Sequence, residues 1–523
     1  MFMKNLALQR IQKMKPYKPP IDGRSAYDGM LLDFNERTKP PQNKVIRALE
    51  KFVRGQKLQV YPEYFDLERK IADYACVKAD QIMITNGSDQ GIDIIFRTFT
   101  EKGGKVIIPS PSFAMFFQCA QIVGNEIVSP LYKKDDLAFP LEEVLSAIDS
   151  RTKLIVVCNP NNPTGTAVSV SDIEKIAKKA KEAIVYVDEA YFEFSKITAV
   201  PLINKYPNII VTRTFSKAFG LASLRIGYVV AKAEYISGML KVRGPYDVNM
   251  AAYYAAYAAL EDKKGMESYV KDVMESAKPL VEKFFAQNRI PYFFSRSNLV
   301  LFRPNNPEKT MLLLEKNGAL VRPQNKQTIE NTLRVSIGTT KQMKKFTEIY
   351  KNAVLKNSKR RYAFLDRDGT LIFEPQDTYQ VDSVKKLKIL DGVIDGLQEL
   401  KSRGYSLIMI SNQDGLGTSS FPQENFRRPQ EKMLKIFCDK GIVFDEVFVC
   451  PHLPNESCNC RKPKTGLVED FLQNANIDKT VSLVCGDRNS DQQFAENIGV
   501  SFVSMDTNGN FYKAIKSFLT KTI

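Results

Sequence analysis

Along residues 1–355, short apolar runs alternate with segments of helical periodicity. LIVVC (154–158), AIVYV (183–187) and NIIVT (208–212) are rich in β-branched residues. Such runs predict strands buried on both faces of a mostly parallel sheet. SDIEKIAKKAKEA (171–183) spaces its apolar residues as a helix does, with Ser171 and Asp172 where an N-cap belongs. A polar, basic stretch at 356–361 breaks the pattern and reads as a linker. The alternation restarts with YAFLD (362–366), SLIMIS (406–411), VFVC (447–450) and SLVCGD (482–487). The pattern therefore predicts an α/β chain of two blocks, 1–355 and 362–523. In open parallel sheets, ligands bind beyond the carboxyl ends of the strands. The loops after these runs are the places to look for chemistry.

Composition narrows the chemistry. The chain has 523 residues, 44% hydrophobic and 26% charged, which is ordinary for globular domains. No apolar run reaches the ~18 residues of a membrane span. The first twenty residues have no long apolar core and no small-residue cleavage site, so no signal peptide is expected. Eight cysteines are too few for a disulfide scaffold, and a reducing cytoplasm is expected. The net charge of +16 is uneven: residues 362–523 hold 19 Lys/Arg and 22 Asp/Glu, and the first 361 residues carry the whole excess. The basic residues are scattered, without the clustered footprint of a nucleic-acid binder, so small anions are the expected partners. Histidine occurs once, at His452, and tryptophan not at all. A Ser-His-Asp triad or a three-His zinc centre would need histidine elsewhere. Catalysis must run on Lys, Asp, Glu, Tyr, Ser and cofactors.

In the first block, TRTFSKAFGLASLRIGY (212–228) follows a strand and sets Lys217 in a Ser/Thr-rich turn, with Arg225 eight residues on. A lysine with a lowered pKa can form a Schiff base. VDEAY (187–191) ends another strand with Asp188 and Tyr191, CNPNNPTG (158–165) offers Asn162, and PSFAMF (111–116) offers Phe113. NGSDQGI (86–92) brings Gly87, Ser88 and Asp89 to a helix start, whose free N–H groups suit a phosphate. These are the requirements of pyridoxal 5'-phosphate: an acid for the ring nitrogen, hydroxyl and amide groups for the ring oxygen, an aromatic cover and a phosphate cradle.

With LDFNE (32–36), VYPEY (60–64), LVRPQ (320–324) and LRVSIGT (333–339), these motifs make the block resemble the fold-type-I aminotransferases, and among them the histidinol-phosphate aminotransferases. That resemblance implies a large mixed-sheet domain with a small α/β domain. It implies that Lys217 forms the imine and shuttles the proton, and that Asp188 pairs with the pyridine nitrogen. Tyr191 and Asn162 then contact the ring oxygen. Ser88, Thr214, Ser216 and Arg225 bind the cofactor phosphate, Arg322 and Arg334 grip the substrate anion, and Tyr17 lies nearby. Tyr61 reaches the cofactor of a neighbouring subunit, which implies a homodimer. Phe113 stands where these enzymes usually have tyrosine, and Ser223 replaces a common glycine.

In the second block, FLDRDGTLI (364–372) ends a strand with Asp366 and Asp368 two residues apart. One carboxylate can attack phosphorus while the other serves as acid and base. Ser411 and Asn412 can bind phosphate oxygens, Lys462 can neutralise charge, and Asp487 in GDRNSD (486–491) suits Mg²⁺. CPHLPNESCNCRKPK (450–464) supplies Cys450, His452, Cys458 and Cys460, four tetrahedral zinc ligands with no open position, hence a structural Zn²⁺ that presents Arg461 and Lys462. The order of motifs resembles the haloacid-dehalogenase phosphatases, with a Rossmann-like domain and a zinc loop. By that resemblance Asp366 is the nucleophile and Asp368 the acid/base. Asp366, Asp487 and the carbonyl of Asp368 hold Mg²⁺. EPQDTYQVD (374–382) and SNQDGLGTSSFPQ (411–423) bring the block closest to the histidinol-phosphatase domain of a bifunctional histidine-biosynthesis protein. Glu374 is expected to meet the substrate's cationic amine or imidazole. The histidine-rich dehydratase that often follows such a domain is not expected.

The product of the first activity is the substrate of the second. The expected whole is a cytoplasmic fused enzyme using glutamate and phosphorylated small molecules, without nucleic acid or membrane. The alternatives are a broader aminotransferase joined to a heptose-bisphosphate type of sugar phosphatase, and a non-enzymatic binding protein, which the presence of Lys217, Asp366 and Asp368 argues against.

Overall fold

The computed structural model describes residues 6–55, 58–356 and 359–521. Asn357 and Ser358 of the expected linker lie outside the described residues. The chain divides into two compact units, Met1–Val354 and Leu355–Ile523.

The first unit is built on seven strands: β1 (Ile82–Thr85), β2 (Lys105–Ile107), β3 (Glu126–Val128), β4 (Thr152–Cys158), β5 (Ile184–Asp188), β6 (Ile209–Thr214) and β7 (Gly227–Val230). Their order is β1-β7-β6-β5-β4-β2-β3. All pairs are parallel except those made by β7. Register brings the strand ends together: Cys158 lies opposite Asp188, and Asp188 opposite Thr212. Helix α1 (Gly87–Phe99) packs closely on the sheet; a Cβ at Gly91 would come within 3.2 Å of Val229 Cγ2. The expected helix at 171–183 is α2 (Val170–Lys179), and its cap is Ser169, not Ser171-Asp172. The Ser169 hydroxyl accepts the Asp172 N–H, so capping chemistry moves the start two residues earlier.

A second, antiparallel sheet follows in the same unit: β8 (Tyr292–Phe293), β9 (Leu299–Phe302), β10 (Arg322–Gln324) and β11 (Thr332–Ser336), in the order β10-β11-β9-β8. Met30–Leu31 pairs in parallel with Ala319–Leu320, which carries the Asp33–Glu36 segment toward β11. Arg322 and Arg334 lie directly opposite each other on β10 and β11. Like charges in that position repel, so the pairing is unfavourable without an anion between them.

The second unit is a five-stranded, wholly parallel sheet: β12 (Arg361–Leu365), β13 (Tyr405–Asn412), β14 (Glu446–Cys450), β15 (Leu483–Gly486) and β16 (Ser501–Ser504), in the order β14-β13-β12-β15-β16. Alternation along β12 serves two cores. Ala363 and Leu365 join one apolar cluster, Tyr362 and Phe364 the other. Because β12 sits between β13 and β15, Asp366, Ser411 at the end of β13 and Asp487 come side by side at one edge. Among the described residues, no helix is long and apolar enough to cross a membrane.

Candidate active sites

In the first unit, Lys217 lies three residues past β6. It is partly buried, and its Nζ donates to the carbonyl of Phe34 at 2.9 Å. Desolvation pulls its amine down to about 8; Arg334 and Arg225 push the same way against Glu36 and Asp89. The Phe34 carbonyl is fixed by its neighbour Asn35, which holds φ +56°. Asn35 donates Nδ2 to the Tyr191 hydroxyl at 2.9 Å and its backbone N–H to Ser336 Oγ at 2.8 Å, and its carbonyl accepts Asn298 Nδ2 at 3.1 Å. Asparagine is among the few residues that adopt this left-handed conformation readily.

Asp188 is buried at the end of β5. Its Oδ1 accepts the Thr212 hydroxyl at 3.1 Å and the Ala190 N–H at 3.2 Å. Burial raises its pKa to about 7. Among the described residues it forms no ion pair. A buried acid without a cation is costly, and a protonated ring nitrogen would supply one. Arg225 donates to Asp89 Oδ2 at 2.9 Å and to the Ala222 carbonyl at 3.1 Å. Gly87 has φ +72°, and a Cβ there would sit 2.6 Å from the Arg225 guanidinium. The Ser216 N–H donates to Thr214 Oγ1 at 3.1 Å, and Ser88 opens α1 beside Gly227. Gly87, Ser88, Asp89 and Arg225 thus form one cradle, next to the Thr214–Ser216 turn that leads into Lys217. Phe113 caps the next helix and packs edge-on against Phe116 at 5.8 Å.

Arg334 is buried. It donates to the Asp33 carbonyl and to Asn162 Oδ1, and its Nε has no hydrogen-bond partner. Asn162, expected at a ring oxygen, therefore spends its carbonyl on Arg334. Arg322 lies 5.2 Å over the Phe34 ring with its buried NH1 unpartnered. Two unsatisfied guanidinium nitrogens on opposed strands are prepared for an anion. Tyr17, partly exposed, is close enough to act electrostatically on both arginines. Sequence reasoning missed Arg24, which pairs with Asp33 and Glu36 and lies 4.8 Å over Phe34. Tyr61 is 72% exposed and stacks on Tyr246 at 4.3 Å, outside this hydrogen-bonded cluster.

In the second unit, Asp366 is buried and accepts from Lys462 Nζ. Burial raises its pKa; Lys462 opposes the rise, and Asp491 and Asp487 add to it. Asp368 accepts both its bonds to Arg367 at 2.8 and 2.9 Å and takes Gln413 Nε2 at 2.6 Å. Arg367 itself is fully buried over Phe426 and donates to Gln430. Ser411 Oγ accepts from Gln413. Asn412, expected on a phosphate oxygen, clamps the backbone of residue 462 with both ends of its amide, at 3.0 and 3.3 Å.

Carboxylate oxygens of Asp366, Asp487 and Asp491 lie within 4.8 Å of one another. Gly369 (φ +76°) allows this approach, since a Cβ there would meet Asp487 at 2.5 Å. Sequence reasoning missed Asp491. It lies on α3 (Asn489–Ile498), four residues after Asp487, which precedes the helix, and its Oδ1 is 2.6 Å from Lys462 Nζ. That four-residue spacing was its signal. Glu374 is buried and lines the same cavity of about 260 Å³, but its carboxylate pairs with Arg488.

Cys450, His452, Cys458 and Cys460 converge: Cys450 Sγ lies 3.8 Å from His452 Nδ1, 3.8 Å from Cys458 Sγ and 3.2 Å from Cys460 Sγ. A tetrahedron of Zn–S bonds of about 2.3 Å has edges of about 3.8 Å. The four groups fit a zinc ion. The same loop anchors through Arg461, which pairs with Asp414 and donates to the His452 carbonyl at 3.2 Å.

Residues 27–349 match the family described as aminotransferase class I and II, and the chain belongs to that family. Residues 361–507 match the family described as polynucleotide kinase 3 phosphatase. Over 318 residues the chain is 31% identical to a histidinol-phosphate aminotransferase of Ruminiclostridium cellulolyticum, covering 60% of this chain and 88% of that protein. It is 36% identical over 350 residues to a dihydroxyacetone phosphate transaminase of Campylobacter jejuni, covering 64% and 94%. It is 49% identical over 144 residues to the histidine biosynthesis bifunctional protein HisB of Legionella pneumophila, covering 28% of this chain and 41% of that protein. A solved histidinol-phosphate aminotransferase from Sinorhizobium meliloti, in complex with pyridoxal-5'-phosphate, shares the fold: TM-score 0.62 at 21% identity, over 68% of this chain and 99% of that one.

Proposed function

We propose that the chain carries out two consecutive reactions. In the first unit, imidazole-acetol phosphate and glutamate give L-histidinol phosphate and 2-oxoglutarate. In the second, L-histidinol phosphate and water give L-histidinol and phosphate. The observation that carries the reading is the joining, in one chain, of a unit similar to histidinol-phosphate aminotransferases with a stretch 49% identical to a bifunctional histidine-biosynthesis protein.

Pyridoxal phosphate, when bound, supplies the electron sink that makes the substrate's α-proton removable. Lys217 Nζ binds the cofactor aldehyde and later carries that proton. Asp188 would pair with the ring nitrogen, Tyr191 and Asn162 would contact the ring oxygen, and Phe113 would cover the ring. Gly87, Ser88, Asp89, Thr214, Ser216 and Arg225 serve the phosphate end. Arg322 and Arg334, with Tyr17, take the substrate anion. Tyr61 belongs to the site of a second subunit in a homodimer. Since the Lys217 amine titrates near 8 and only its neutral form attacks an aldehyde, borohydride trapping of pyridoxal phosphate by the cofactor-free protein rises with pH. The expected rise in initial rate from pH 6 to 8 is about 50-fold. The rate is expected to level off above pH 9; a rate that keeps climbing tenfold per pH unit to pH 10 contradicts the lowered pKa.

In the second unit, Asp366 attacks phosphorus and the leaving oxygen takes a proton from Asp368. Asp368 then removes a proton from the water that cleaves the aspartyl phosphate. Asp366, Asp487 and the carbonyl of Asp368 would hold Mg²⁺, which would supply positive charge for the phosphate oxygens. Lys462, presented by the zinc loop with Arg461, sits against the nucleophile, and Ser411 and Asn412 shape the phosphate end. The zinc is structural. Cys458→Ser is therefore expected to lower bound zinc, measured per chain by metal analysis, and to cut phosphatase turnover at least roughly tenfold, in the range of outer-shell metal-site losses. Transamination is expected to persist.

The test of the whole reading is to supply the purified protein with imidazole-acetol phosphate and glutamate and to follow histidinol and inorganic phosphate. A second reading has its own support. The 36% identity to a dihydroxyacetone phosphate transaminase favours a small phosphorylated ketone as first substrate. Its amination product is an amino-diol phosphate, which the second site would hydrolyse. Faster turnover of dihydroxyacetone phosphate than of the imidazole ketone, in competition, selects this reading.

A further inference from the structure

We infer that Arg488 is a phosphate-binding residue of the second site and that Glu374 is its positioning partner; the inference rests on the phosphatase reading above. The cavity is lined by five carboxylates, those of Asp366, Asp368, Glu374, Asp414 and Asp491. A phosphate entering it needs uncommitted positive charge. The charge of Lys462 is already matched by two carboxylates: its Nζ donates to Asp366 and to the Ile410 carbonyl at 2.9 Å and is ion-paired with Asp491 at 2.6 Å. Arg461 is committed to Asp414 and the His452 carbonyl. Arg367 is fully buried on Asp368 and Gln430; its Nη2 has no partner among the described residues, but the residue does not line the cavity.

Arg488 is different. It lines the cavity with a side chain 47% exposed, and among the described residues Glu374 is the one acceptor of its guanidinium. A guanidinium carries five donors in a fork, so an edge remains for phosphate oxygens. It lines the same cavity as the nucleophile Asp366.

Its two ends are fixed. The Arg488 backbone N–H donates to Asp491 Oδ2 at 3.2 Å. Glu374 is only 6% exposed, and its backbone is clamped from both sides by Asn508, at 2.7 and 3.0 Å. A long flexible side chain is thereby held in one place before substrate arrives, which removes the entropic cost of ordering it. Glu374 acts through Arg488, to which its Oε1 is bound.

The test uses the full chain with Mg²⁺. KM and kcat are measured for histidinol phosphate and for p-nitrophenyl phosphate, which has no amine, and inorganic phosphate binding is measured by calorimetry. For Arg488→Gln, KM is expected to rise roughly 10- to 100-fold for both esters, the loss of one charge-assisted hydrogen bond, with phosphate binding weakened by a similar factor and kcat falling less. Arg488→Lys should recover part of the loss. Glu374→Gln should give a smaller rise for both esters, and the double variant should match Arg488→Gln alone. Unchanged phosphate affinity in Arg488→Gln and Arg488→Lys overturns the inference. So does a Glu374→Gln effect confined to the amine-bearing ester and additive with Arg488→Gln. A wild-type protein that hydrolyses only the aryl ester refutes the histidinol phosphate assignment instead, and Arg488 is still read from the aryl ester and from phosphate.

Discussion

Lys217→Ala is expected to abolish transamination, with a loss of roughly 10⁴-fold or more, while hydrolysis of histidinol phosphate stays within about twofold of wild type. The reason lies in what Lys217 alone provides. Its amine is the basic nitrogen held on the Phe34 carbonyl and pulled down to about 8 by desolvation. Alanine removes both the attacking nitrogen and the proton carrier. The surrounding cradle does not depend on it: Arg225 stays on Asp89, and Asn35 stays on Tyr191 and Ser336. The protein should therefore still bind pyridoxal phosphate, without the absorbance of the lysine-bound form. The measurement is paired, with 2-oxoglutarate formation from glutamate and phosphate release from histidinol phosphate on the same sample. Persistence of transamination above a hundredth of wild type would remove Lys217 from its role.

Asp366→Asn should produce the mirror image. Phosphate release is expected to fall by roughly 10⁴- to 10⁶-fold, the range seen when a covalent nucleophile is removed, and transamination should be unaffected. Asparagine keeps the shape and still accepts a hydrogen bond from Lys462, but its amide is a poor nucleophile. Asp491 remains as the charge partner of Lys462 at 2.6 Å, so the variant does not leave that lysine as a lone buried cation. Accumulation of histidinol phosphate from imidazole-acetol phosphate and glutamate is the diagnostic. If Asp366→Asn continues to release phosphate, the nucleophile is another group. If either single substitution stops both reactions in a folded protein, the two sites are not independent.

These two outcomes draw on residues that stood out in the sequence, and the reason is physical. A buried parallel strand must be apolar nearly throughout, so β4, β5 and β6 announce themselves as β-branched runs, and β12 and β13 as apolar ones. The polar residue that ends such a run is at the sheet's carboxyl edge by necessity, which is how Asp188, Asp366 and Asp487 were legible. The zinc ligands were legible for a second reason. Cys450, His452, Cys458 and Cys460 fall within eleven residues, so short-range spacing alone brings them together.

Other features had no local signature. Asn35 reaches Ser336 across 301 positions, and Arg334 reaches the Asp33 carbonyl across the same separation. Arg488 and Glu374 are 114 residues apart. Spacing along the chain gives no hint of which of these residues meet. The apolar pattern determined which segments become strands and which side chains stand at their ends. Only the tertiary structure decided that Asn162 serves Arg334, that Asn412 clamps residue 462, and that Lys462 is shared by Asp366 and Asp491. Those choices depend on which loops the strand order sets side by side, since each buried polar group must find its partner among them.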